Sequence, residues 1–313
     1  MVSSIRHASA LRLISGIAVA GTIVAMLAAP AAAAPGGQFA AARLPANSIC
    51  ASATNPRLAA HMSRGILAAL NGRSSVVGIA AADPRYHLTC SFHASRHFDA
   101  ASVIKATIIS ALLLKVGGPA HLSAHQRHLA WLMITESDND AATALWDEVG
   151  LRHMQEFLNR AGMRHTVLKV AWGLTLLTAH DELLLLRVLT NPGKVLSAQS
   201  RNYVLWLMAN VVAYERWGVS AGAPADVTVH LKNGWLPYPD GSDWHINSIG
   251  AFTGHGISYQ IVILTSGNAG ESYGIQTVQA AAYVINKQLA AERGDSASEL
   301  ALPGKASLAA PGG

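Results

Sequence analysis

The stretch "FDAASVIKATIISALLLK", residues 98–115, decides how the rest of the chain is read. Val103, Ile104, Ile108, Ile109, Leu112, Leu113 and Leu114 leave no solvated side on a helix, and a helix that is apolar all round is a buried one. One turn into it stand Ser102 and Lys105, at i and i+3 on a single face. A buried ammonium is costly unless it is paired or gives up its proton. Near a helix N-terminus the serine N–H has no intrahelical partner. A lysine that has lost its proton can accept one from a neighbouring hydroxyl. Nucleophile, base and one oxyanion donor are thus available within one turn.

Outward from this helix the pattern changes twice. Upstream, residues 55–72 have helical spacing and stop at Asn71-Gly72. "SSVVGIAAAD" (74–83) and "YHLTCSF" (86–92) read as two strands around a turn. Downstream, Ser123 to Thr190 is mostly helical, and "SAQSRNYVLWLMANV" (197–211) continues it. After about Ala225, "VTVHLKNG", "HINSIGAFTG" and "SYQIVILTSG" are β-rich runs bounded by turns, and 274–292 is a closing helix. The predicted class is α+β. An antiparallel sheet is built from the N- and C-terminal strands and flanked by helices, with an all-helical lobe and a site in the cleft between.

Composition narrows the function classes. Of 313 residues 51% are apolar and only 13% charged, with a formal charge of +5. A sizeable core is available, and without a Lys/Arg block or an aromatic-interleaved basic run nucleic-acid binding is not expected. Residues 1–33 have the basic start (Arg6, His7, Arg12), apolar stretch and alanine run of a secretory signal cut near Ala33. The apolar stretch is short of the ~20 residues a membrane span needs, so a secreted, monomeric protein with no stable span is expected. Residues 34–50 read as a linker, 51–293 as the domain and 294–313 as a disordered tail. Cys50 and Cys90 are the two cysteines. An even count in an oxidising compartment points to a disulfide, with two buried free thiols as the alternative.

Two further motifs follow. In "ITESDNDAATALW" (134–146), Ser137, Asp138 and Asn139 precede a helix. They read either as an ordinary cap or as a second hydroxyl that relays a proton, with an amide that contacts substrate. In "VTVHLKNGWLP" (227–237), Lys232, Asn233 and Gly234 end a strand. Asn-Gly there reads as a turn, or the glycine admits a close ligand while the lysine supplies positive potential and the Trp235 N–H a second oxyanion donor.

Taken in order, S-x-x-K, S-D-N and K-x-G resemble the serine β-lactamases and penicillin-binding proteins, and among them the class A β-lactamase-like serine hydrolases. The resemblance runs from about Pro56 to Glu292 and includes "NSIGAF" on the strand after the third motif. It implies a β-lactamase-like fold, Ser102 as the acylated nucleophile and Lys105 as its base or proton shuttle. It implies Ser137 as relay, Asn139 as substrate contact, and Lys232, Asn233 and Gly234 as the wall that binds a substrate carboxylate. The implied activity is hydrolysis of β-lactams. The alternatives are a penicillin-binding or D,D-peptidase or esterase-like enzyme, or a homologue that binds ligand without turnover.

The sequence departs from that pattern in four places. Asn233 stands where Thr or Ser is usual, and the spacing from Ser102 to Ser137 is short. The strand after the third motif carries no arginine, and Arg216, which precedes the motif, is a weak substitute. The loop "RAGMRHTVLKVAWGLTLLTAHDE" (160–182) has no acidic residue before Asp181, and Asp181 and Glu182 read as N-terminal helix charges. Class A β-lactamases place a glutamate in this loop that activates the deacylating water, and a family member without it is expected to acylate but release slowly. Trp172 is expected to line this loop, and "WLPYPDGSDWH" (235–245) reads as a packed, stiff turn or as a rim that shapes the entrance beside the third motif. His93 and His97, and His121, His125 and His128, have spacings that could hold a metal, but H-E-x-x-H and Cys/His clusters are missing from the sequence. No metal and no cofactor are expected.

Overall fold

The computed structural model describes residues 48–294, apart from 239, 240 and 242. The expected signal segment, most of the linker and the tail lie outside the described residues.

The described residues form eight strands and seven α-helices. In order they are β1 (Cys50–Ser52), α1 (Pro56–Leu70), β2 (Val76–Asp83), β3 (Leu88–Phe92), β4 (His97–Asp99), α2 (Ile104–Val116), α3 (Ala124–Thr135) and α4 (Asn139–Ala161). There follow β5 (Leu176–Thr178), α5 (Ala179–Thr190), α6 (Ala198–Ala209), β6 (Thr228–Pro237), β7 (Trp244–Gly254), β8 (Ile257–Asn268) and α7 (Glu271–Glu292). Six strands form one antiparallel sheet in the order β1-β3-β2-β8-β7-β6, and β4 pairs with β5 in a small second sheet. The α+β class expected from the sequence, an antiparallel sheet of N- and C-terminal strands flanked by helices, is the one observed.

Both faces of the large sheet are covered. Ile261 and Ile263 on β8 face one core, with Leu58, Met62 and Ile66 of α1 and Val278 and Ile285 of α7. Val262 and Leu264, one step along the pleat, face the other core with α2 to α6. Alternate residues of a strand point to opposite faces, so a strand buried on both sides needs the unbroken apolar run seen in "IVIL". At the centre of the second core, every residue of α2 from Ile104 to Leu113 is buried. The helix ends at Gly117, whose φ of 83° glycine adopts without steric cost.

Two boundaries differ from the expectation. Cys50, assigned to the linker, opens β1 and pairs in register with Cys90 of β3, to which it is joined by a disulfide. A three-residue strand of Cys, Ala and Ser has too little alternation to register as one in sequence. Lys232 to Gly234 do not end their strand either: β6 runs on to Pro237, with Gly234 opposite Asn247 of β7. An Asn-Gly pair makes a hairpin only where the flanking chain reverses, and here β7 holds the strand straight through it.

Candidate active site

The first two motifs meet at one cleft of about 440 Å³, lined by Ser102, Ser137 and Asn139 and by Trp235 and Leu236, which follow the third motif, and closed on one side by residues 171–174. Ser102 sits in a 3₁₀ turn, Ala101–Val103, immediately before α2. Two bonds fix the backbone that delivers it: Asn247 Nδ2 donates to Asp99 O at 2.8 Å and to Ala100 O at 3.2 Å. Ala101 takes a φ of 47° and Ser137 a φ of 58°. Non-glycine residues rarely adopt that region, and where they do the surrounding structure must hold them there.

Lys105 is fully buried. Its Nζ donates to Ser137 O at 2.6 Å and Asn139 Oδ1 at 2.8 Å, and lies 3.4 Å from Ser137 Oγ. Burial pushes this ammonium down to about 7, and the charge of Lys232 adds to the shift against Glu215 and Asp138. A neutral amine has two N–H groups and one lone pair. The Ser137 and Asn139 oxygens satisfy the two donors and leave the lone pair to receive a proton. Trp172 lies over the same amine, 4.9 Å from Nζ to the ring centroid, and donates from Nε1 to Thr143 Oγ1 at 3.1 Å.

Lys232, also fully buried, donates to Ser137 Oγ at 2.8 Å and to Asn233 O at 2.9 Å. Burial lowers it to about 8, opposed by Glu215. Ser137 Oγ therefore lies between two lysines. Asp138 is the N-cap of α4, accepting from Ala141 N at 2.7 Å. It braces the turn that holds Ser137 and Asn139.

Gly234 is set by space rather than by φ. A Cβ there would lie 2.6 Å from Ser102 N, 2.9 Å from Val103 N and 3.2 Å from the Ala101 Cβ. Only a glycine lets β6 lie this close to the backbone of Ser102, and Trp235, the next residue, lines the cleft.

Asn233 corrects the expectation. Strand alternation turns it away from Lys232 and Gly234, and it is wholly buried. Its Nδ2 donates to Glu215 O and Trp217 O at 2.6 and 3.1 Å, and its Oδ1 accepts from Ser248 Oγ at 2.6 Å. The amide ties β6 to β7 and to the 213–220 segment and is closed to a substrate carboxylate. Arg216 also points elsewhere, donating to Ala209 O at the end of α6.

Sequence reasoning missed Glu215 and the role of Asn247. Glu215 is buried, neither carboxylate oxygen has a hydrogen-bond partner among the described residues, and burial raises it against the pull of Lys232 and Lys105. Nothing in "AYERWG" marks it. Asn247 did leave a signal, being a polar residue at an inward position between Ile246 and Ile249. The acidic pair of the loop is placed as expected, in the first turn of α5, but both residues are fully buried.

The site thus places a buried amine between the turn that carries Ser102 and a second serine, with a glycine strand against that turn. The chain belongs to the Beta-lactamase enzyme family, which matches it over residues 117–289. That match begins after Ser102 and Lys105, so those two rest on the geometry above. Among curated proteins no relative matches. A class A beta-lactamase from Bacteroides cellulosilyticus DSM 14838 has the same fold at a TM-score of 0.64 and 17% identity, over 74% of this chain and 98% of that one. PBP-A is similar at 0.63 and 18% over 74% and 96%, and the TLA-1 extended-spectrum beta-lactamase at 0.64 and 16% over 73% and 98%.

Proposed function

We propose that the protein is an exported serine hydrolase that opens β-lactams through an acyl-enzyme on Ser102, and that release of the acyl group is its slow step. The observation that carries this reading is the convergence of Lys105 Nζ and Lys232 Nζ on Ser137 beside Ser102. In the first half-reaction Ser102 Oγ attacks the lactam carbonyl carbon and its proton passes to neutral Lys105. The oxyanion is held by the N–H groups of Ser102 and Trp235, which is usually the largest electrostatic contribution. The C–N bond then breaks, and the nitrogen takes the Ser137 hydroxyl proton, which Lys105 replaces. Lys232, bonded to Ser137 Oγ, supplies the positive potential that attracts a substrate carboxylate, and Asn139, exposed in the cleft, contacts the acyl side chain.

Release needs a base for water. The loop offers Ala171, Trp172, Gly173 and Leu174 to the cleft, none of them a carboxylate. Lys105 must then serve both halves. The same feature favours a second reading, a penicillin-binding or D,D-peptidase-like enzyme whose acyl acceptor is not water. Incubation with a fluorescent penicillin and a chromogenic cephalosporin, followed by intact mass over time, tests both. A single adduct on Ser102 that decays as cephalosporin is consumed is expected, while an adduct that persists without turnover selects the second reading. Failure of every lactam and ester probe to form an adduct would sink both, as would full activity in Ser102→Ala.

A further inference from the structure

Away from the catalytic groups, three side chains come together at the neck of the loop that closes the cleft. His165 stands at its start, and His180 and Asp181 in the first turn of α5 at its end. Their ligand atoms, one per residue, all lie within 4.8 Å of one another. Both histidine Nδ1 atoms lie 3.3 Å from the same oxygen, Asp181 Oδ1. The other oxygen, Oδ2, is already satisfied by His165 N at 2.8 Å and Thr166 Oγ1 at 2.9 Å. Asp181 is fully buried while both rings are more than half exposed.

The spacing is long for a hydrogen bond, whose usual N···O distance is ~2.9–3.0 Å. The two nitrogen–oxygen separations match the edge of a tetrahedron around zinc, while the two histidine nitrogens are bounded only at 4.8 Å. With Zn–N of ~2.0–2.1 Å and Zn–O of ~2.0–2.2 Å, neighbouring ligands stand ~3.3–3.4 Å apart. An octahedral ion of the same bond lengths would need ~3.0 Å. A carboxylate oriented by its own hydrogen bonds is also what metal sites use to fix their ligands. Exposed rings can turn to close the set, and solvent completes the fourth position.

We propose that His165, His180 and Asp181 form a zinc site that pins the neck of the 165–180 loop. The neck already carries a backbone bridge, Val167 N to Leu176 O at 2.9 Å and Leu176 N to Val167 O at 3.0 Å. Beyond it lie Trp172 and Gly173 at the cleft wall. Zinc would join the two ends of the loop below that bridge and hold the wall rigid. Zinc binding here does not depend on acylation at Ser102.

Calorimetric titration of EDTA-treated, dialysed protein with zinc chloride tests the site, together with amide hydrogen exchange over residues 166–178. A single saturable ion per chain is expected, with slower exchange in the loop when zinc is present. His165→Ala and His180→Ala should each weaken binding by ~10–100-fold or more, the loss that removal of even an outer partner causes. Both rings are at the surface, so the far-ultraviolet circular dichroism of the variants should be that of the parent. The control His121→Ala/His125→Ala should bind as the parent does. Absence of saturable binding at micromolar zinc, or parent-like binding in both ligand variants, overturns the site. Binding that leaves loop exchange unchanged overturns the pinning.

Discussion

Gly234 shows how one atom can decide the site. The added Cβ of Gly234→Ala would meet the backbone of Ser102 and Val103, and backbone cannot swing aside as a side-chain end can. Either β6 or the nucleophile's turn must shift. Misplacement by ~1 Å typically costs on the order of 100-fold in rate, so acylation of Gly234→Ala by fluorescent penicillin is expected to fall by that order or more. The two lysines set the pH dependence. Lys105 must be neutral to act as base, so the acylation rate should rise with pH through about 7. Lys232 must be charged to hold a carboxylate, so the rate should fall again through about 8. Interacting groups titrate as a pair, and the pair gives a narrow bell with its maximum between these values. A flat acylation profile from pH 6 to 9 would remove Lys105 from the role of base.

At the scale of the element, α5 carries a cost in its first turn. Glu182 is fully buried, neither oxygen has a hydrogen-bond partner among the described residues, and burial together with Asp181 raises its carboxyl to about 8. In the unfolded chain the group ionises near 4.5. Between 4.5 and about 8 the folded state holds the extra proton, so this group lowers stability progressively as pH rises across that window. Glu182→Met has similar volume and nothing to ionise. Its melting temperature should exceed the parent's by a margin that grows from pH 5 to 8 and then levels off, which differential scanning calorimetry can follow.

The same helix shows where the sequence was legible. Its start, the Thr178 cap and the acidic first turn could be read from "LTAHDELLLL", because capping and periodicity are local. The burial of Asp181 and Glu182 could not, since it depends on β2, β7 and β8 packing against α5 from distant parts of the chain. The buried helix α2 was legible because its apolar residues leave no face for water. Asn233 was misread because its type suits both a ligand contact and a strand anchor, and only the pairing with Ser248 decides between them. The site's first and second motifs were legible as spacing, and Glu215 was not, because a buried acid in a loop has no periodic signature.

The whole molecule is two cores sharing one sheet. The helical lobe from α2 to α6 is nearly continuous in sequence, whereas the sheet joins the two ends of the chain. β2 lies between β3 and β8, with Val76 opposite Ser266 and Ala82 opposite Gln260. This order has a consequence in time. As the chain emerges from its N-terminus, β2 and β3 can pair as a hairpin, yet one edge of β2 stays open and the face that α7 covers stays wet. Closure across so many residues is slow, because the loop entropy must be overcome before the contacts reward it. A chain ending at residue 254, without β8 and α7, is therefore expected to be cut readily by protease throughout 50–92, where the full chain resists. The last strand to be made is the one that closes the open edge of β2, so the cleft around Ser102 stays unassembled during synthesis until the final strand and helix are complete.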